Sequence, residues 1–281
     1  GDGRDSIVAR AILPVHDAAQ AYDAYAPQYD RLLDENRINA YMRRFMKQVL
    51  LSTFESGSRL IELGCGTGDE AISLAAHGCE IFAFDPSPEM VAIASRKGAT
   101  TRTEGTVRWF VGRSADLIHH LGNPTPAMRF DGAYASFSLS YERDLASVSE
   151  ALAPWIRPGG RFVVAAMNRV CGTELAAAFI SGHPGLAGRR LAEQTLHKVG
   201  EVATPIFPRT IGEVVEAFRK HFVLEDGRAL PAILPPTYSN RSLGRWPALV
   251  ELLARMDSYV GTLPVVRSLG DHNLLRFRRR T

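Results

Sequence analysis

Cysteine is scarce in this chain. Cys65, Cys79 and Cys171 stand far apart in 281 residues, with no CxxC pair and no Cys/His cluster. That excludes a disulfide framework and a zinc site of ordinary ligand spacing, so no metal is expected. It also fits a reducing, cytoplasmic setting. Excess charge is nearly absent: 33 Lys and Arg face 30 Asp and Glu, a formal +3, too little to argue for nucleic acid on charge alone. No apolar run approaches the roughly 18 residues that cross a bilayer. The opening GDGRDSIVARAILPVHD has no basic head before an apolar core and does not read as a secretory leader. Repeats and low-complexity tracts are missing too. What remains is ordinary globular composition, 46% hydrophobic and 22% charged, in a chain long enough to bury a real core.

From residue 59 onward, strand-like and helix-like segments alternate. Strand-like runs occupy 59–63, 80–84, 107–111, 130–137, 161–166, 221–225 and 273–277. Helical spacing marks 69–77, 88–97, 145–156 and 211–220, and Pro158-Gly159-Gly160 stops the third of these. Such alternation predicts an α/β fold: a doubly wound, mostly parallel sheet with helices on both faces and right-handed crossovers. Two segments, 168–209 and 231–270, break the rhythm. They read as helical rim insertions on a core spanning 59–167, preceded by leading helices over 21–58, all within one domain of residues 1–281. In the second insertion, Trp246, Leu249, Val250, Leu253, Met256 and Val260 share one helical face. This face is expected to pack on the parent domain; a lid over a greasy ligand and peripheral contact with a membrane surface are the alternatives.

The densest signal is RLIELGCGTGDE, residues 59–70. A strand-to-helix turn with glycines exposes unpaired amide N–H groups and lets a ligand approach the backbone. Dinucleotide sites use G-x-G-x-x-G. Here Gly64, Gly66 and Gly68 give G-x-G-x-G, and the third dinucleotide position holds Asp69. A carboxylate beside a pyrophosphate is unfavourable, so the turn suits a ligand without one.

At this point the sequence resembles the class I S-adenosylmethionine-dependent methyltransferases of the small-molecule type. ELGCGTG looks like their first motif. The resemblance implies a Rossmann-like sheet of seven strands, the last antiparallel, with S-adenosyl-L-methionine as cofactor. It places Glu62, Gly64, Cys65, Gly66 and Gly68 around the methionine part of that cofactor. Asp85, 17 residues beyond Gly68, is assigned to the ribose hydroxyls, with Pro86 and Met90 beside it. Ser114, Ala115 and Asp116 are assigned to the adenine, Asp116 accepting from the exocyclic amine; capping of a helix start is the alternative there. Ser136 and Phe137 belong to FDGAYASFSLSY, similar to the fourth-strand motif that borders cofactor and acceptor. In the segment AYDAYAPQYDRL, an aromatic ring is expected over the cofactor: Tyr29, with Tyr22 and Tyr25 as alternatives.

The implied reaction is in-line displacement at a sulfonium methyl group, and a base is required only where the acceptor must lose a proton. No residue stands out for that role. His119, His120, His183, His197 and His221 each have a plainer reading, and the catalytic residue stays unassigned. Tyr141, His183 and Tyr238 are the substrate-side candidates. The apolar supply of the insertions favours a medium-sized, partly hydrophobic small-molecule acceptor. Ala135-Ser136-Phe137-Ser138 departs from the N/D-P-P-Y/F/W tetrad of amino-methylating members, so nucleic acid is not the expected partner. The assembly is expected to be a monomer or homodimer. Two other readings stay open: a nicotinamide-dependent oxidoreductase, disfavoured by Asp69, and a non-catalytic cofactor-binding or membrane-associated module.

Overall fold

A computed structural model describes residues 13–182 and 190–281. Two helices lead, α1 (Ala18–Glu35) and α2 (Arg37–Thr53). Strands and helices then alternate: β1 (Arg59–Leu63), α3 (Asp69–Ala76), β2 (Glu80–Asp85), α4 (Pro88–Thr100), β3 (Thr106–Val111), α5 (Leu117–Leu121), β4 (Phe130–Ser136), α6 (Leu145–Leu152) and β5 (Ile156–Met167). After these come α7 (Gly172–Ser181), β6 (Thr195–Val199), β7 (Val202–Ile206), α8 (Ile211–Phe218) and β8 (Phe222–Leu230). The chain closes with α9 (Asn240–Leu243), α10 (Pro247–Val260) and β9 (His272–Arg279).

Seven strands form one sheet in the order β3-β2-β1-β4-β5-β9-β8. β1 to β5 pair in parallel, and β9 runs antiparallel to both β5 and β8. This is the doubly wound, Rossmann-like arrangement of class I methyltransferases. Alternate residues of each strand feed opposite faces, as a pleated strand requires. Ile61, Phe82, Ala133 and Phe162 pack with α6 and α8. Leu60, Ile81, Tyr134 and Val163 pack with α2, α3 and α10. Strand reversal has a consequence for the site. Because β9 is antiparallel, its first residue, His272, pairs with Met167, the last residue of β5. A residue from the start of the last strand thus arrives at the carboxyl edge of the parallel strands, where ligands of open α/β sheets bind.

Three expectations need correction. The Pro158-Gly159-Gly160 stop lies inside β5, which begins at Ile156. It is absorbed as a bulge: between the pairs Phe130↔Ile156 and Gly132↔Arg161, one strand advances two residues and the other five. The first insertion carries, besides α7, the antiparallel β6–β7 hairpin, where helix-like stretches were expected. It closes through Gly200 at φ +58°, a conformation suited to a tight hairpin loop. Finally, the apolar face of α10 is divided. Val250 is buried and Leu253 packs on the core, whereas Trp246, Leu249, Leu252, Met256 and Tyr259 are exposed.

Candidate active site

A cavity of about 680 Å³ opens at the carboxyl edge of the parallel strands. One end lies on the elbow between β1 and α3. Gly64, Gly66 and Gly68 all take left-handed φ, yet they do different work. A Cβ on Gly64 would come within 2.2 Å of the Ser138 side chain, and one on Gly68 within 2.5 Å of Trp109. These two glycines let the protein close on itself. A Cβ on Gly66 would meet only Tyr29, at 3.8 Å, so its bare face is turned to the cavity. The elbow is held by its neighbour strand: the Gly64 and Cys65 amides donate to the Phe84 carbonyl at 2.7 and 2.9 Å. The Gly66 amide donates to Asp85 Oδ2 at 2.8 Å, and the Ser87 amide to Oδ1 at 2.9 Å. Burial outweighs these two bonds and raises the Asp85 carboxyl above its ordinary value.

Helix α1 lies over this end as a strap. Ser87 Oγ donates to Asp23 at 2.6 Å and Thr67 Oγ1 to Asp30 at 2.5 Å. Lys97 bridges Asp30 and Asp69 at 2.9 and 2.5 Å. Arg43 of α2 pairs with Glu70 at 2.9 Å. The Tyr22 and Tyr141 hydroxyls share a hydrogen bond of 2.5 Å, and Tyr29 meets Tyr22 edge-on.

Of the expected cofactor residues, Tyr29, Gly64, Cys65, Gly66, Asp85, Pro86, Met90, Ser114, Ser136 and Phe137 line the cavity. Glu62, Gly68, Ala115 and Asp116 do not line it. Asp116 accepts from the Arg113 amide at 2.7 Å and closes the turn after β3. Glu62 is fully buried beside Tyr134, and neither of its oxygens meets hydrogen-bond geometry with a partner among the described residues. Burial, then the neighbouring Glu70, pushes its carboxyl well above the usual range.

The far end is made of side chains that hold one another. Arg190 pairs with Glu174 at 2.8 Å and with Asp271 at 2.5 Å. Tyr238 donates to Glu174 at 2.7 Å, and His272 Nδ1 lies 2.9 Å from Asp271 Oδ2. Burial alone would raise the Asp271 carboxyl, but its pairing with His272 and Arg190 outweighs burial and holds it well below the usual range. His197 of β6 also lines the cavity; burial first, then His272 and Arg190, lower its affinity for a proton. Phe137 sits at φ 61°, rare for a residue with a Cβ, and its ring meets His272 edge-on at 5.2 Å. Tyr141 and Tyr238 therefore both reach this end, and His183 lies outside the described residues. His120 meets the Val111 carbonyl and His221 meets Glu150, both away from the cavity.

The sequence model of a family described as a methyltransferase domain matches residues 33–218. The chain belongs to the class I S-adenosylmethionine-dependent methyltransferases. Among related methyltransferases, the 2-phytyl-1,4-naphtoquinone methyltransferase of Synechococcus elongatus is 28% identical over 53% of this chain and 62% of its own length. The demethylmenaquinone methyltransferase of Thermus thermophilus is 34% identical over 51% of this chain and 62% of its own. The chain thus spans about three fifths of each of these relatives. In fold it is similar to a methyltransferase from Listeria monocytogenes, with TM-score 0.57, 15% identity, and coverage of 87% of this chain and 99% of that one. The family's cofactor fits the elbow: Gly66 presents a bare face, and the Asp85 carboxylate has acceptor capacity beyond the two amides it holds.

The residues that sequence reading missed are Glu174, Arg190, Asp271 and His272. Only Asp271-His272 left a usable signal: an acid–imidazole pair at the start of a strand expected to run antiparallel, which brings that end to the ligand edge.

Proposed function

We propose that the chain transfers a methyl group from S-adenosyl-L-methionine to a medium-sized, partly hydrophobic small molecule. One observation carries this reading: a single cavity, of a size common for small-molecule sites, joins the glycine elbow to a second chamber lined by Tyr141, His197, Tyr238 and His272. The relatives named for naphthoquinone and demethylmenaquinone methylation support an apolar, ring-bearing acceptor.

In this reading the Gly66 face and the Cys65 wall take the amino-acid end of the cofactor. Asp85 accepts from the ribose hydroxyls, Pro86 and Met90 flank the nucleoside, and Ser114 faces the base. Tyr29 closes over the elbow. The bound sulfonium supplies an electrophilic methyl group. The chain's own part is placement and exclusion of water: holding the acceptor in line contributes several kcal/mol, up to about 7–11 in ideal cases. Segments 168–209 and 231–270 supply Glu174, Arg190, His197 and Tyr238 to the acceptor wall, as specificity loops on a cofactor scaffold do.

Calorimetry with S-adenosylhomocysteine and with NADH tests the cofactor assignment; binding of NADH alone overturns it. Labelled cofactor with fractionated cell extract tests transfer; tight binding with no labelled product would favour a non-catalytic module. The exposed stripe Leu249, Leu252, Met256 and Tyr259 on α10 supports a second reading, peripheral contact with a membrane surface. Co-sedimentation with mixed phosphatidylglycerol and phosphatidylcholine vesicles checks it; a chain that stays in the supernatant overturns it.

A further inference from the structure

The acceptor end holds a proton-handling pair that displacement at a sulfonium does not by itself require. Asp271 is buried and shares its carboxylate between Arg190 and His272. Held ionised by that pairing, its oxygen only accepts, so the hydrogen between them sits on His272 Nδ1. The opposite nitrogen, Nε2, has no hydrogen-bond partner among the described residues, and the ring lines the cavity. The strained Phe137 backbone sets an aromatic edge against the same ring; backbone strain of this kind persists where the surroundings over-determine it. His197 also faces the cavity, but no carboxylate among the described residues orients it.

We propose that His272, positioned by Asp271, is the general base of the transfer, and that the acceptor is a hydroxyl compound, whose proton such a base would remove. This rests on the methyl-transfer reading above. The acceptor O–H bond breaks with its proton passing to Nε2, and the oxygen bonds to the methyl carbon. The carbon–sulfur bond breaks with its electron pair left on sulfur. The imidazolium is stabilised by Asp271 until it passes its proton to water. An oriented imidazole of this kind contributes about 10²–10⁴-fold. The charged and titratable groups around the ring are Asp271 and Arg190, with Glu174 and Tyr238 behind them, and His197 and Tyr141 on other elements of the cavity wall.

Two measurements test this. Imidazole ¹⁵N NMR on the cofactor-free protein is expected to show His272 protonated at Nδ1 and bare at Nε2; the opposite tautomer overturns the proposal. His272→Gln is expected to bind S-adenosylhomocysteine within about threefold of wild type. Its methylation of extract components should fall at least about 100-fold, and the residual rate should climb about tenfold per pH unit where wild type is flat. A variant rate within about threefold of wild type sinks the base assignment, and label on any atom other than oxygen sinks the hydroxyl acceptor. A wild-type chain that binds S-adenosylhomocysteine yet labels nothing sinks the transfer reading itself.

Discussion

At one end of the cavity, residues 62–68 and 85–90 belong to two consecutive strand–helix units. At the other, Tyr141, Glu174, Arg190, His197, Tyr238 and Asp271-His272 come from six places spread over about 130 residues. The first end presents mainly backbone: amides held by the neighbouring strand, a glycine with no side chain, one carboxylate fixed by the strand it ends. The second presents side chains whose positions depend on one another. A site made by a turn is a local property of the chain, whereas a site made by pairing is a property of the topology. The two should therefore fail differently when altered.

The largest effect is expected at Gly66. Gly66→Val puts a branched side chain into the open face of the elbow, and S-adenosylhomocysteine affinity should fall more than about 100-fold, some 2.7 kcal/mol. A left-handed backbone costs valine about 1–2 kcal/mol, so the melting temperature should drop by only a few degrees. Calorimetry beside a thermal melt separates the two, and undiminished binding would place the cofactor's amino-acid end elsewhere. Asp85→Ala comes next: at least about tenfold weaker binding, or 1.4 kcal/mol, in a chain that stays folded. An unchanged dissociation constant would remove the ribose assignment.

Two smaller effects sharpen the contrast through pH. Glu62, behind the elbow, has its folded-state proton affinity raised. Folded and unfolded chains are alike below the unfolded value, and stability is lost as pH climbs from there toward the folded value. Glu62→Gln should thus be near neutral at pH 4 and stabilising at pH 8, by about 2–4 °C for each kcal/mol recovered. Equal melting differences at both pH values would contradict the assignment. Asp271 has the opposite sign: its folded value is lowered, so its contribution is complete above the ordinary carboxylate range and is lost as pH falls below it. The smallest change is Tyr22→Phe, which deletes the hydroxyl joining the strap to Tyr141. It should cost about 0.5–1.5 kcal/mol in thermal stability. A loss well beyond that would mean that the contact anchors more of α1 than one bond accounts for.

Legibility followed the same division. β1 to β4, α3 and α4 could be read because each apolar run, or the turn after it, has its own local signal; α5, five residues long, showed no helical spacing of its own. Asp85 and the glycines could be placed because the elbow and the end of β2 are fixed within a few residues of sequence. The different uses of Gly64, Gly66 and Gly68 could not, since Ser138 and Trp109, which decide them, lie 40 or more residues away. The β6–β7 hairpin was hidden because its strands are five residues each, too short for alternation to outweigh a helical reading. The Arg190–Asp271–His272 cluster was hidden for a different reason. No spacing links residues that far apart, and only the reversal of β9 brings them together.

That reversal has a last consequence, for how the chain assembles. β9 comes after every other strand in sequence but lies between β5 and β8, so β8 has no edge to join until β9 has arrived. On a growing polypeptide, the five parallel strands and their elbow are made well before the residue that would take the proton. A nascent chain would hold the nucleoside first and gain its chemistry only when the final strand slots into the gap, a non-local closure of the kind that slows folding.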